Sequence, residues 1–383
     1  MPPARLLDVT RLTARAGLGP TGVDRVERAY LTRLLQGDAP AFGLARTALG
    51  FVLLDEGGLR ALEHAVRGGD WGGVDLLSRL NPRLTETARL GQSFVRRHAV
   101  ARCSRAGLSR MLGRIGPHHY YNVGHSNLTA RSLSAVPGEV TVLVHDTIPL
   151  DWPEHQRAGT VEAFARKLGA VRAHADRLIA STHAVAEDLR RHGLTQPAVV
   201  APLGIERPVP GEVPAGIPLD RPLFVALGTI EPRKNHALLL DVWEGIGDRA
   251  TLVVAGRRGW NNAEVFARLD RGLPGVIEAP GLTDGEVAAL LTRARALLFP
   301  SLAEGYGLPP VEALALGTPA IVADLPACRE VLGDAAIYAD PLGRYQWTEI
   351  VETLLRDPGR SGRPTWTPPD WEAHFNAVFT EAG

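Results

Sequence analysis

Two α/β domains with parallel sheets facing a central cleft are the fold predicted for this 383-residue chain, on three observations. The length exceeds what a single hydrophobic core usually organises. Short apolar runs alternate with helical patterns, which is the rhythm of parallel strands covered by helices on both faces. Six prolines between Pro202 and Pro222 interrupt every periodic pattern and mark a linker. The composition, 45% hydrophobic and 22% charged with no low-complexity tract, excludes a disordered or fibrous chain.

In chain order, apolar runs at Leu6–Val9, Phe51–Leu54, Val140–Val144, Arg177–Ala180 and Ala198–Ala201 are the strands expected of a first domain, residues 1–205. Residues 206–221 form the linker. The second domain, 222–365, is clearer, with runs at Leu223–Leu227, Thr251–Ala255, Val276–Ala279, Ala296–Phe299, Ala320–Ala323 and Ala336–Tyr338. Trp371–Phe379 reads as an amphipathic helix in the terminal segment 366–383, after the proline-rich Gly362–Pro369. In open parallel sheets ligands bind beyond the carboxyl ends of the strands, so functional residues are expected just after these runs.

No window approaches the roughly 20 consecutive apolar residues of a membrane span. Met1–Leu12 is charged where a signal peptide is apolar, so a cytoplasmic location is expected. Cys103 and Cys328 lack metal-ligand spacing and read as buried thiols. The net charge of zero hides an asymmetry: 26 basic against 18 acidic residues up to 205, and 16 against 24 after it, giving +8 and −8. The first half is therefore expected to meet something anionic, such as a membrane surface or a phosphate-bearing acceptor.

The run Gly228-Thr229-Ile230-Glu231-Pro232-Arg233-Lys234-Asn235 lies between the first strand of the second domain and a helical pattern. Gly228 permits close backbone approach, and adjacent Arg233 and Lys234 suit two phosphates, or else form a solvated helix start. Of 42 basic residues only Lys167 and Lys234 are lysine, so lysine at 234 departs from the habit of the chain. A second run, Pro300 to Gly317, follows the strand Ala296–Phe299. Gly305 and Gly307 allow a tight loop, and Pro309 and Pro310 mark a helix entry. Glu304 and Glu312 either bind hydroxyls of sugar and ribose, or serve as a cap and a helix-surface charge.

Gly228–Asn235 and the E-x7-E pair Glu304 and Glu312, together with Val253–Trp260, Gly281–Asp284 and Gly317–Pro341, resemble family 4 of the retaining glycosyltransferases, nearest to bacterial polysaccharide mannosyltransferases. The resemblance covers residues 222–342 and implies the GT-B fold, two Rossmann-like domains around a cleft. It implies that Arg233 and Lys234 stabilise a departing diphosphate. Glu304 would contact the donor sugar, Glu312 the ribose, and Gly305, Tyr306, Gly307 and Leu308 would offer backbone amides. Thr229 stands where many members have a further arginine. No D-x-D sequence occurs, so neither a metal nor another cofactor is expected.

In the first half, Gly19–Glu27 resembles the glycine-containing loop of that family, placing Gly22 on the acceptor side, or is an ordinary turn with Asp24 as helix cap. His145 and Asp146 follow the strand Val140–Val144. His145 is a candidate for bonding donor sugar or acceptor with Asp146 orienting it, or is a structural histidine. Asn122–His125 and Ser181–His183 also fall after strands. Phe94–Gly116 carries six arginines and no acid, interleaved with apolar residues. It reads as a basic amphipathic stretch for an anionic membrane, or as a helix with one solvated face. Aromatic interleaving is absent, which argues against nucleic acid.

The expected activity is transfer of a hexose, mannose from GDP-mannose for preference, to a saccharide or lipid-linked acceptor. UDP- or dTDP-sugars as donors, and a nucleotide-sugar-binding protein without catalysis, are the alternatives. A nicotinamide-dependent enzyme is disfavoured because neither half has a G-x-G-x-x-G turn directly after its first strand, the run Gly17–Gly22 lying well beyond the segment Leu6–Val9.

Overall fold

The computed structural model describes residues 2–356 and 366–380. The first sheet contains β1 (Ala4–Asp8), β2 (Ala41–Thr47), β3 (Gly50–Leu54), β4 (Ala101–Cys103), β5 (His118–Asn122), β6 (Glu139–Val144), β7 (Arg177–Ala180) and β8 (Ala198–Val200). The second contains β9 (Leu223–Leu227), β10 (Thr251–Ala255), β11 (Val276–Glu278), β12 (Ala296–Phe299), β13 (Ala320–Ala323) and β14 (Ile337–Ala339).

The second sheet, ordered β11-β10-β9-β12-β13-β14, is parallel throughout, and β9, β10, β12 and β13 are buried along their whole lengths. Continuous apolar runs therefore mark these strands because helices cover both faces. The first sheet is ordered β4-β3-β2-β1-β5-β6-β7-β8. It departs from the expected parallel pattern at one edge, where β3 pairs antiparallel with both β2 and β4, and a two-residue connection after Thr47 turns β2 into β3. Strand order reverses between β1 and β5 in one sheet and between β9 and β12 in the other, and the crevices open there.

Residues 201–222 join the sheets without helix or strand. The helix Trp371–Thr380 lies against the first sheet. The Phe375 ring stacks on Phe379 and meets Tyr30 edge-on at 5.0 Å, and Arg177 donates to the Val378 carbonyl at 3.1 Å. One apolar cluster runs from Tyr30, Leu143 and Ile179 through Leu203 and Tyr306 to Phe299 and Val311, so the two sheets share a core. Among the described residues no helix is long and apolar enough to cross a membrane. Part of Gly362–Pro369 lies outside the described residues.

Two expectations are corrected. Phe94–Gly116 is not one amphipathic surface. It comprises the end of the helix Glu86–Arg97, strand β4, a short turn and the helix Leu108–Gly113. Arg96 turns inward to Asp75 at 2.8 Å, and Arg97 donates to the Gly73 carbonyl at 2.7 Å. Chain reversals, one inward ion pair and hydrogen bonds to carbonyls thus consume part of the basic run. Cys328 is buried as expected, but Cys103 on the short edge strand β4 is only half-buried.

Candidate active site

Neighbouring strands β9 and β12 bring the turn Gly228–Asn235 against the loop Pro300–Gly307. Asn235 sits in the left-handed region (φ 53°, ψ 40°), as an Asn tolerates. Its amide donates to the carbonyls of Pro300 (3.2 Å) and Pro341 (2.8 Å), pinning three strand-end loops together. The Arg233 carbonyl accepts from the Leu302 amide at 2.8 Å. At the preceding turn, a Cβ on Gly256 would lie 1.9 Å from the Gly228 carbonyl oxygen, so only glycine lets these backbones meet.

This scaffold converges three charges. Lys234 Nζ lies 2.5 Å from Glu304 Oε1, and Arg233 Nη1 lies 2.8 Å from the same oxygen. Arg233 also reaches Glu231 at 2.8 Å and the Ala303 carbonyl at 2.7 Å, and Lys234 sits over the Phe299 ring at 4.5 Å. Burial opposes the Glu304 charge, yet Arg233 and Lys234 outweigh it and hold the carboxyl below its ordinary value. Burial pulls the Lys234 ammonium down, with Glu304 opposing it. It also works against the Arg233 guanidinium, which Glu304, Glu231 and Asp146 together raise. The doublet is therefore a paired, half-buried cluster rather than a solvated helix start. Thr229 beside it is exposed.

Glu312 lies in the helix Leu308–Ala315, which begins at Gly307. It is 8% exposed and pairs with Arg25 from the first half, which also reaches Asp284 at 2.7 Å. Burial raises the Glu312 carboxyl, with Arg25 opposing. Glu304 and Glu312 thus hold separate cations and do not face one another as an acid pair. A cavity of about 340 Å³ lies beside Glu312, lined by Arg25, Asp284 and Leu308 among others. The sequence alone gives Arg25 no role, because its partner is remote along the chain.

From the first sheet, His145 and Asp146 approach the same loop. A Cβ on Gly305 would lie 2.2 Å from the His145 carbonyl oxygen and 2.9 Å from the Asp146 Cβ. Ser181 and Thr182 hydroxyls each donate to the Gly305 carbonyl at 3.3 Å, and Tyr306 donates to the Leu203 carbonyl at 2.5 Å. Asp146 does not orient His145: its carboxylate accepts from the Ile148 amide at 3.2 Å. The Val123 carbonyl, 2.8 Å from His145 Nε2, does. A carbonyl only accepts, so Nε2 carries the proton, and burial lowers the His145 pKa to about 4, leaving the ring neutral. His125 donates likewise to the Leu143 carbonyl at 3.0 Å, its ring 4.9 Å from His145.

Gly22 opens the helix Gly22–Gln36, with Leu308 packed where its Cβ would be, at 3.1 Å. The cap of that helix is Thr21 in a reciprocal box with Asp24, rather than Asp24 alone. The residues near Ser181 have a further partner. Glu330 accepts from the amides of His183 (2.6 Å) and Ala184 (3.2 Å), one half of the molecule capping a helix of the other.

Residues 213–363 match the family described as glycosyl transferases group 1. The chain is 31% identical over 250 residues to the serotype-specific mannosyltransferase WbdA of Escherichia coli, across 58% of this chain and 31% of that protein. It therefore spans about a third of the length of that relative. Among solved structures it resembles Anabaena HepE in complex with UDP-glucose, with a TM-score of 0.65 at 14% identity and complete coverage of both chains. It also resembles sucrose-phosphate synthase of Thermosynechococcus elongatus, with a TM-score of 0.61 at 15% identity, covering 100% of this chain and 98% of that one. These likenesses establish the GT-B fold.

Proposed function

We propose that this chain of GT-B fold, whose residues 213–363 match the group 1 glycosyltransferases, transfers a hexose from a nucleoside diphosphate sugar to a saccharide or lipid-linked saccharide acceptor. Transfer retains the configuration at the anomeric carbon. Mannose from GDP-mannose is the preferred donor, a reading supported by similarity to a bacterial mannosyltransferase. The observation that carries the proposal is the convergence of Arg233, Lys234 and Glu304 where the strand order of the second sheet reverses.

In the structure these cations neutralise Glu304. An incoming diphosphate competes for them, and Glu304 turns to accept from sugar hydroxyls. As the bond to the anomeric carbon breaks, negative charge grows on the leaving diphosphate. Preorganised cations are worth most there, in a half-buried site. They take the part a metal ion plays elsewhere, so turnover is expected to survive chelation. Glu312 accepts from the ribose once Arg25 is displaced, and the backbone amides of Gly305 to Leu308, in the loop that leads into the helix Leu308–Ala315, meet the phosphates, since Pro309 and Pro310 carry no N–H. Neutral His145 beside Gly305 borders the sugar.

The test is a thermal-shift panel of GDP-, UDP-, ADP- and dTDP-sugars on the wild type and Lys234→Ala, with turnover measured for the stabilising donor. GDP-mannose is expected to give the largest shift, and the variant to lose about 10²–10³-fold in turnover. If no nucleotide-sugar stabilises the wild type, the reading loses its basis. An equal shift and turnover in Lys234→Ala would remove the phosphate role of that residue.

A further inference from the structure

An open cavity of about 960 Å³ lies at the reversal point of the first sheet, where Thr10 follows β1, Arg46 lies in β2 and His125 to Ala130 follow β5. Its wall carries Arg46, Arg105, Arg166 and Lys167, and no acidic side chain lines it. Arg166 and Lys167 share one face of the helix Thr160–His174 with Ala163 and Ala170, which also line it.

None of the four cations has a salt-bridge or side-chain hydrogen-bond partner among the described residues. Some cations elsewhere are matched, Arg11 and Arg15 with Asp24, Arg96 with Asp75 and Arg268 with Asp241, and exposed arginines such as Arg79 and Arg131 are unmatched among the described residues but do not line this cavity. The acid behind the wall, Asp8, is buried and held by Asn127, Thr10 and Tyr120, and burial raises its pKa. Four like charges around one cavity are unfavourable without a counter-ion, and they exceed what a single carboxylate neutralises. Asn127, 7% exposed and in the left-handed region at φ 56°, lines the cavity with its carboxamide oxygen unpartnered. That oxygen suits a hydroxyl donor beside an anion. The wall reaches the donor side through His125, whose ring meets His145, whose carbonyl abuts Gly305.

We infer that this cavity binds the phosphate or diphosphate group of the acceptor, so that the molecule to be glycosylated is a phosphate-bearing saccharide. The acceptor role rests on the transferase reading above; the anion site does not. Arg46, Arg105 and Arg166 offer planar donors to phosphate oxygens and Lys167 a point charge, while Asn127 accepts from a sugar hydroxyl. The two lysines of the chain then serve facing anion sites, Lys234 for the donor and Lys167 for the acceptor. The +8 charge of residues 1–205 acquires a local purpose.

The test is calorimetric titration of inorganic pyrophosphate into Lys234→Ala, which weakens the donor-side contact, and into the same protein with Arg166→Gln and Lys167→Gln added. The added changes are expected to weaken binding by at least about tenfold. Arg105→Gln, exposed and harmless to folding, is expected to weaken it in the same direction. Unchanged affinity in both overturns the anion site. Loss of pyrophosphate binding without any nucleotide-sugar shift in the wild type supports the anion site and overturns its acceptor role. Flotation with phosphatidylcholine vesicles containing a polyprenyl diphosphate, if it depends on Arg166 and Lys167, assigns the phosphate to a lipid. Binding of a soluble hexose phosphate alone assigns it to a free sugar. Either result supports the proposal.

Discussion

At Glu304 a single carboxylate oxygen holds both Arg233 and Lys234, so the cluster is folded around its own counter-ion before any donor arrives. Side chains elsewhere set how the protein responds to acid. His236 and His374 are buried, and burial lowers each pKa from 6.5 to about 4. His374 donates from Nδ1 to the Ala201 and Pro202 carbonyls at 3.1 Å, leaving Nε2 to accept from the Tyr30 hydroxyl at 2.9 Å. The unfolded chain takes up these protons below pH 6.5 and the folded chain only near 4, so stability is complete above 6.5 and falls as pH drops between the two values. Within that window each histidine costs the fold about 1.4 kcal/mol for every pH step of one. Melting temperature against pH is expected to fall accordingly, and His374→Gln to flatten the fall; an unchanged slope would mean His374 titrates normally. The Arg-Lys doublet was legible because it breaks the chain's own usage of basic residues. The buried histidines were not, since burial is a property of packing.

At the scale of elements, the strand-to-helix turns of the second sheet were readable because apolar runs buried on both faces leave a continuous signal. β2, β4 and β5 went unread. β5 reads His-His-Tyr-Tyr-Asn, and its buried His118 and Asn122 carry no apolar periodicity. The loop Pro300–Gly307 acts as a bearing surface between the halves, and Gly305 is its tightest point. Gly305→Ala is expected to push the loop off His145, because the new Cβ would meet backbone at 2.2 Å. Overpacking of this kind costs about 1–3 kcal/mol. Donor affinity should drop with only a modest loss in melting temperature, since the clash lies at the cleft and either side of it can yield. A variant that binds donor like the wild type would show that the loop has room to move.

Across the whole molecule the halves are joined by polar contacts at several places: Arg25 to Glu312 and Asp284, Glu330 to the helix His183–Arg191, and the Trp260 indole to the His155 carbonyl at 2.8 Å. If Arg25 competes with the ribose for Glu312, Arg25→Ala removes a competitor worth about 1 kcal/mol, and donor affinity should rise roughly fivefold. Equilibrium titration of the preferred nucleotide-sugar decides it: weaker or equal binding in the variant would make Arg25 a part of the site or a bystander. By itself the sequence determined the two α/β layers, the strand-to-helix segments that carry Arg233, Lys234, Glu304 and Glu312, and the excess of positive charge in the first half. Those are local matters of hydrophobic period, turn chemistry and residue type. Only the tertiary structure decided that Glu304 is already paired, that Glu312 is guarded by Arg25, that His145 is held by Val123, and that Arg46, Arg105, Arg166 and Lys167 meet around one cavity. Each of those joins residues remote in sequence, and the order of the strands, not the spacing of the residues, brings them together.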